Sequence, residues 1–170
     1  ENIEKLAKNL NFGNRVEDAI DLVDSEQIQQ INYICFDQSV SMKFRLIGGV
    51  PHHGEGTRAE ISSDFLRALI EQSYKFRVSS LYGLISFNSK VEVLQELTPM
   101  SSDFIEKLKK IKPHDQTHLW DAIKLAKDRI VELLTPSKDE EDEDEDEIAP
   151  FPNAQCRIIV ITDGEDNKSE

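Results

Sequence analysis

The sequence predicts an α/β fold, in which a doubly wound, mostly parallel β-sheet is flanked by helices on both faces. Three observations predict it. Two apolar stretches of strand length, residues 31–36 and 156–161, each lead into a loop that carries an aspartate, as buried parallel strands commonly do. Amphipathic helical patterns lie between them, and alternating strands and helices build parallel sheets. A short turn at residues 88–90 joins two other β-rich stretches, which predicts a hairpin with one antiparallel edge strand.

The composition describes a polar domain whose acidity is concentrated in one place. The chain has 170 residues, of which 38% are hydrophobic and 31% charged, enough for one sizeable core. Its net charge is −13, and the run of nine acids at residues 139–147 leaves −4 for everything else. No nucleic-acid partner is expected, because phosphate binding needs a basic surface. No stretch approaches the roughly 20 apolar residues of a membrane helix, so no membrane span is expected.

The first half of the chain divides into a helical lead-in, a strand, an insertion and a helix. Residues 1–29 carry two apolar stripes at helical spacing, which predict a helical N-terminal lead-in packed on the sheet. The pattern also resembles a ubiquitin-associated domain, whose helices are linked by a Gly-Phe loop, although the order in this chain is Phe-Gly. A strand is predicted at Ile31–Phe36, followed by a glycine-rich insertion over residues 42–60. Ser62 or Ser63 is expected to cap the next helix.

The second half continues the alternation of strands and helices. Apolar periodicity and turn residues predict these elements in order: a strand at Ser79–Phe87, a strand at Val91–Leu97, a helix from Ser101 or Ser102 to Ile111 that Pro113 stops, a helix from Thr117 to about Pro136, and a second buried strand at Cys156–Ile161. Between the last two lies a predicted acidic, disordered loop at residues 138–149, because such a charge run cannot bury apolar surface.

Oxygen-bearing side chains follow both buried strands and open one helix. Asp37, Ser39 and Ser41 form an Asp-x-Ser-x-Ser motif just past the first strand, Thr117 begins a helical pattern, and Asp163 follows the last strand. In open α/β sheets, ligands bind at the carboxyl ends of the strands. Carboxylates and hydroxyls are ligands for a hard cation such as Mg²⁺.

These three motifs, in this order and on these elements, resemble the metal-ion-dependent adhesion site of von Willebrand factor type A (vWA) domains. That Rossmann-like family includes the integrin inserted domains. The resemblance covers residues 30–170 and implies that they are the front two-thirds of a vWA domain. It also implies that the C-terminal strands of the fold lie beyond this chain. The native polypeptide is expected to continue, because the sheet would otherwise end on an exposed apolar edge.

The resemblance implies a set of site residues and a function. Asp37, Ser39, Ser41, Thr117 and Asp163 would hold the metal, directly or through water. Mg²⁺ would be the ion, with Mn²⁺ or Ca²⁺ able to substitute. The ion would take one further carboxylate, from an Asp or Glu of a protein partner. The expected function is therefore a metal-dependent protein–protein interaction module with no catalytic residues, part of a larger intracellular protein.

Each motif also has a purely structural interpretation. The serines can form a turn, Thr117 can be only a helix cap in competition with Asp115, and Asp163 can lie in an ordinary turn. Asp115-Gln116 also replaces the Gly-Gly pair that often precedes the threonine in the family, which affects the expected shape of that loop. A zinc site is a further alternative, but neither histidine pair has a third ligand at metal spacing: His52 with His53, and His114 with His118.

Two other functions stay open beside the interaction module. One is a structural scaffold domain in a multiprotein assembly, with a vestigial metal site. The other is a Mg²⁺-dependent hydrolase, which the residues disfavour. Ser39 stands where phosphoryl-transfer sites of similar topology generally place a second acid. The chain also has neither a phosphate-binding loop nor a nucleophile elbow.

The two cysteines bear on the compartment. Cys35 and Cys156 each lie in a predicted buried strand, where a cysteine behaves as a small hydrophobe. A disulfide between adjacent parallel strands would be strained in most registers. Two interior thiols without a disulfide framework indicate a reducing, cytoplasmic location.

Overall fold

The fold is a mostly parallel sheet with helices on both faces. A computed structural model of the protein describes residues 27–45, 56–99, 102–114, 116–135, 151 and 153–164. Its elements are β1 (Gln30–Asp37), a 3₁₀ turn (Val40–Lys43), α1 (Arg58–Lys75), β2 (Ser80–Phe87), β3 (Val91–Pro99), α2 (Ser102–Lys110), α3 (Leu119–Leu134) and β4 (Gln155–Ile161). The described strands have the order β3-β2-β1-β4, with β1 parallel to β2 and β4 and with β3 antiparallel to β2. The predicted fold class, including its one antiparallel strand, is confirmed.

The central strand β1 alternates between two hydrophobic clusters, one on each face of the sheet. Ile31, Tyr33 and Cys35 pack in the cluster that contains α3 residues. Ile34 and Phe36 pack in the cluster that contains residues of α1 and α2. Because successive side chains of a strand point to opposite faces, a strand covered on both faces is mostly apolar on both. This explains the apolar run at residues 33–36 that precedes Asp37. The buried Asn32, earlier in the strand, satisfies its side chain by donating to the Leu81 carbonyl at 3.4 Å.

Helix α1 begins earlier than predicted. It starts at Arg58 rather than after Ser62 or Ser63, and the Ser63 hydroxyl instead donates to the Ala59 carbonyl at 2.8 Å. The start is set by a reciprocal pair of hydrogen bonds: Glu60 N–H donates to Thr57 Oγ1 at 3.2 Å, and Thr57 N–H donates to Glu60 Oε2 at 3.2 Å. This is a capping box, which satisfies backbone donors that the first turn leaves free.

The remaining elements agree with the predictions except for the start of one helix and the burial of one strand. Helix α3 begins at Leu119 and not at Thr117; His118 occupies its N-cap position, so Thr117 is not the helix cap. Strand β4 is only half-buried, whereas a second buried strand was expected, because among the described strands it pairs with β1 alone. The lead-in up to residue 26, most of the 42–60 insertion and the acidic loop at 138–149 lie outside the described residues.

The strand register separates the two cysteines. Cys156 pairs with Ile31, and Cys35 pairs with Val160, so the two cysteines are offset by four residues along the strands. At about 3.3 Å per residue this is roughly 13 Å, well beyond the span of a disulfide. The Cys35 thiol lies at 3.6 Å from the Ala122 carbonyl of α3, to which its S–H donates. Burial raises the pKa of Cys35 to about 12 and also raises the pKa of the half-buried Cys156.

We expect alkylation of the native protein to distinguish these thiols. The thiolate is the reactive form, so near pH 8 iodoacetamide should modify Cys156 first and Cys35 only when the protein unfolds. Peptide mass mapping after timed labelling, with and without guanidinium, measures both rates. Equal labelling of the two cysteines in the native protein would contradict the burial of Cys35 between β1 and α3.

Candidate metal centre

The candidate site lies where two neighbouring parallel strands end. Asp37 is the last residue of β1, and Asp163 lies two residues beyond the end of β4. Since β1 and β4 are adjacent and parallel, the loops that follow them meet at the same edge of the sheet. Their meeting brings together carboxylates that are far apart in the sequence.

A continuous chain of hydrogen bonds joins the two aspartates through the two serines. Ser39 N–H donates to Asp37 Oδ1 at 2.6 Å, the Ser39 and Ser41 hydroxyl oxygens lie 2.8 Å apart, and the Ser41 hydroxyl donates to Asp163 Oδ1 at 2.7 Å. A hydroxyl has one proton, and that of Ser41 goes to Asp163, so Ser39 must donate to Ser41. Four of the five predicted ligands therefore form one connected polar group.

Thr162, which the sequence reasoning missed, secures the other side of Asp37. Its hydroxyl donates to Asp37 Oδ2 at 2.6 Å and accepts from Gly164 N–H at 3.2 Å. Both carboxylate oxygens of the buried Asp37 thus accept a hydrogen bond, which holds the side chain in one orientation. The sequence signal for this contact was a hydroxyl residue, Thr162, directly before Asp163.

Arg58 is the second contributor that the sequence reasoning missed. Its guanidinium forms an ion pair with Asp163 Oδ2 at the rim of the site. The capping box of Thr57 and Glu60 would have placed Arg58 at the start of α1, although not beside the strand ends. An open depression of about 350 Å³ adjoins this pair, and its lining residues are Met42, Arg58, Ile61, Ser62, Thr162 and Asp163.

Thr117 lies on a third loop that is tied to the first. Its side chain is buried in the segment between α2 and α3, and in that segment His114 N–H donates to the Gln38 carbonyl at 2.6 Å. The side chain of Asn88, in the hairpin turn, donates to Gln38 Oε1 at 3.1 Å and lies 3.1 Å from His114 Nε2. His114 Nδ1 lies 2.8 Å from the Lys112 carbonyl, which can only accept, so in the neutral ring Nδ1 carries the proton and Nε2 accepts from Asn88.

The donor set fits a hard cation and not zinc. The connected group offers two carboxylates and serine hydroxyls, all oxygen donors of the kind that Mg²⁺ binds. Within the described part of the chain, no three His, Cys, Asp or Glu side chains cluster closely enough to hold a metal. His118 pairs with Asp121 at 3.0 Å instead. His52, His53 and Asp115 lie outside the described residues.

Comparison with known proteins identifies the fold. A family model described as von Willebrand factor type A domain matches residues 33–165. Solved structures with the same fold include the VWA domain of SpRpn10. It matches at 17% sequence identity with a TM-score of 0.50, and the match covers 69% of this chain and 54% of that chain. No curated protein matches this chain closely enough in sequence to indicate a relative.

Two further structures show the range of proteins that share the fold. Proximal thread matrix protein 1 from the mussel byssus matches at 20% sequence identity with a TM-score of 0.57, and the match covers 84% of this chain and 33% of that chain. A mutant of the PilB minor pilin from Streptococcus sanguinis matches at 18% sequence identity with a TM-score of 0.51, and the match covers 61% of this chain and 26% of that chain. The chain spans about half the length of the SpRpn10 domain and less of the other two.

Identities this low establish fold alone. None of the helices in the described part of the chain combines the length and the hydropathy of a membrane span. The family model spans most of the chain, and the order of the sheet, the helices on both faces and the loops at the strand ends agree with it. The chain belongs to the von Willebrand factor type A domain family.

Proposed function

We propose that this vWA domain binds a protein partner through a divalent cation held at the ends of β1 and β4. Asp37, Ser39, Ser41, Thr117 and Asp163 would hold the ion, which is Mg²⁺ with Mn²⁺ or Ca²⁺ as substitutes. The observation that carries the proposal is the unbroken hydrogen-bonded chain from Asp37 through both serines to Asp163. Such a chain presets oxygen donors from two loops before any ligand arrives.

The residues divide the work of the site. Each Asp37 carboxylate oxygen accepts one hydrogen bond, from Ser39 N–H or from the Thr162 hydroxyl, so Asp37 orients the serine loop and supplies negative charge to the site. The Ser39 hydroxyl donates to Ser41 and keeps its lone pairs for a cation. Asp163 supplies the second negative charge. When bound, the cation supplies Lewis acidity toward an anionic oxygen, and we propose that an Asp or Glu of the partner provides it.

The family assignment supports an interaction role. vWA domains serve mainly as non-enzymatic modules for protein–protein contact. We propose the same for this chain, without catalytic residues and within a larger intracellular protein. The separated thiols Cys35 and Cys156 support a reducing compartment.

A scaffold domain that uses no metal is the second candidate. The ion pair between Arg58 and Asp163 favours it, because a guanidinium can satisfy a carboxylate without any bound ion. On this view, the hydrogen-bonded chain would serve only to hold the loops in place.

Titration with Mg²⁺ and Mn²⁺ by calorimetry separates the two candidates. We expect saturable binding by the native protein and a loss of about 100-fold or more in affinity for the double variant Asp37→Ala, Ser39→Ala, because it removes a charge and a donor from the cation position. The matched control is Ser63→Ala, Asp64→Ala on α1, which removes the same groups away from the site and should bind normally. Equal binding by the site variant, or none by the native protein, would favour the scaffold.

A second arm tests the partner carboxylate. Once a binding partner is captured, EDTA should abolish the complex, and so should the change of one partner Asp or Glu to Ala. A complex that survives both treatments would show that the contact does not pass through a metal-bridged carboxylate.

A further inference from the structure

Asp163 belongs to the candidate metal site and also forms an ion pair with the side chain of Arg58. Its Oδ1 accepts from the Ser41 hydroxyl at 2.7 Å, while its Oδ2 pairs with the Arg58 guanidinium. The carboxylate side chain is 13% exposed and the arginine side chain 33% exposed, so the pair lies at the rim of the site. Both oxygens of this predicted ligand are therefore engaged before a metal binds.

The backbone holds Arg58 beside the site while its side chain keeps room to move. Arg58 N–H donates to the Phe44 carbonyl at 2.9 Å, and the Thr57–Glu60 capping box fixes the start of the helix. Ala59, the next residue, is buried in the cluster beneath α1. The guanidinium lies at the far end of a long flexible stem, beside the open depression. The guanidinium can therefore move away from Asp163, but the fixed backbone keeps it close to the site.

We propose that Arg58 is a tethered cation that sets the metal affinity of this site. In the metal-free protein it neutralises Asp163, and a divalent ion must displace it or bind next to it. The inference rests on the proposed function, because it assumes that the same carboxylates hold the ion. It identifies Arg58 as the residue that determines how much free Mg²⁺ the domain needs.

Counting charges gives the direction of the effect. Asp37 and Asp163 contribute two negative charges and Arg58 one positive charge, so the metal-free group is −1 and the Mg²⁺-loaded group is +1. Without Arg58 the loaded group would be neutral. Arg58 therefore opposes binding of the cation and favours a subsequent anionic partner. Even with water-like screening, one charge about 6 Å from a dication changes its affinity roughly tenfold.

The test compares three variants of the purified protein, titrated with Mg²⁺ and Mn²⁺ by calorimetry after treatment with EDTA. Arg58→Gln should bind Mg²⁺ about tenfold more tightly than the native protein, because the competing charge is gone. Arg58→Lys keeps the charge and should stay within about threefold of the native affinity. Arg67→Gln is the matched control: it removes an exposed charge of the same helix, which pairs with Asp64, and should change little.

The melting temperature in EDTA gives an independent readout. There, Arg58→Gln should melt below the native protein, because Asp163 loses its counter-charge, and saturating Mg²⁺ should reverse the difference. Thermal shift in both conditions therefore reports the exchange of one cation for the other. A purely structural arginine would lower the melting temperature equally with and without metal.

The outcomes separate this inference from the proposed function. Unchanged or weaker Mg²⁺ binding by Arg58→Gln overturns the inference, while loss of binding in Asp37→Ala, Ser39→Ala still supports the proposed function. If only Arg58→Gln binds metal, the tethered cation is supported and the metal-dependent function of the native domain is overturned. If neither the native protein nor Arg58→Gln binds metal, both are overturned.

Discussion

Truncation of Phe36 to alanine is expected to lower the free energy of unfolding by about 3 to 5 kcal/mol. Phe36 is fully buried and packs with Ile34, Leu66 and Phe104 in the cluster under α1 and α2. Removing its ring leaves a cavity that a strand paired on both edges cannot close. Since domains have only about 5 to 15 kcal/mol of stability, the variant should be marginally folded. Urea unfolding with a shared slope measures the difference.

The matched control for this prediction is Phe65→Ala. It removes the same ring from α1, where the side chain is 55% exposed, and should change stability by no more than about 0.5 kcal/mol. A similar cost for both variants would mean that the central strand is not covered on the face that α1 and α2 occupy. The comparison tests the two-faced burial that also places Asp37 at a defined strand end.

Substitution of Gly83 by alanine is expected to cost about 2 kcal/mol, although it adds one carbon atom. Gly83 pairs with Tyr33 across β1 and β2, and the buried tyrosine ring lies over it. An added Cβ would lie 2.5 Å from Tyr33 Cε1 and 2.7 Å from Cδ1. The ring must therefore move within a packed core, or the two strands must separate. Chemical denaturation of the variant measures the cost.

A second substitution makes this prediction specific. In the double variant Gly83→Ala, Tyr33→Val, the smaller side chain frees the space that the methyl group needs. The double variant should be more stable than the sum of the single changes predicts, by about 1 kcal/mol or more. Strict additivity would show that the ring does not limit residue 83, and that the cost has another origin, such as backbone conformation.

Some residues of the candidate site hold its oxygen donors in place, and one residue, Arg58, would compete with the cation for Asp163. Asp37, Thr162 and the network of Gln38, Asn88 and His114 hold the loops, and the two serines supply hydroxyl oxygens. If Arg58 competes with the ion, the domain would respond to metal concentration rather than hold its ion permanently. The expected tenfold gain in Arg58→Gln is the measurement that decides this.

Local patterns were sufficient for the elements and for the candidate ligands. The apolar run before Asp37 required a strand covered on both faces, and the spacing of Asp37, Ser39 and Ser41 placed three oxygen donors on one loop. These properties depend on neighbours within a few residues, and so they are visible in the sequence. The same holds for the start of α1, where the Thr57-x-x-Glu60 capping box was present but overlooked.

Contacts between distant residues needed the tertiary structure. Thr162 bonds Asp37 across 125 residues, and Arg58 pairs with Asp163 across 105 residues. No local pattern specifies such partners, because they depend on which strands become neighbours and on how far each helix advances toward the sheet edge. The fold class and the candidate oxygen donors could therefore be predicted from local patterns. The ion pair between Asp163 and Arg58 could not, because it depends on distance in space and not along the chain.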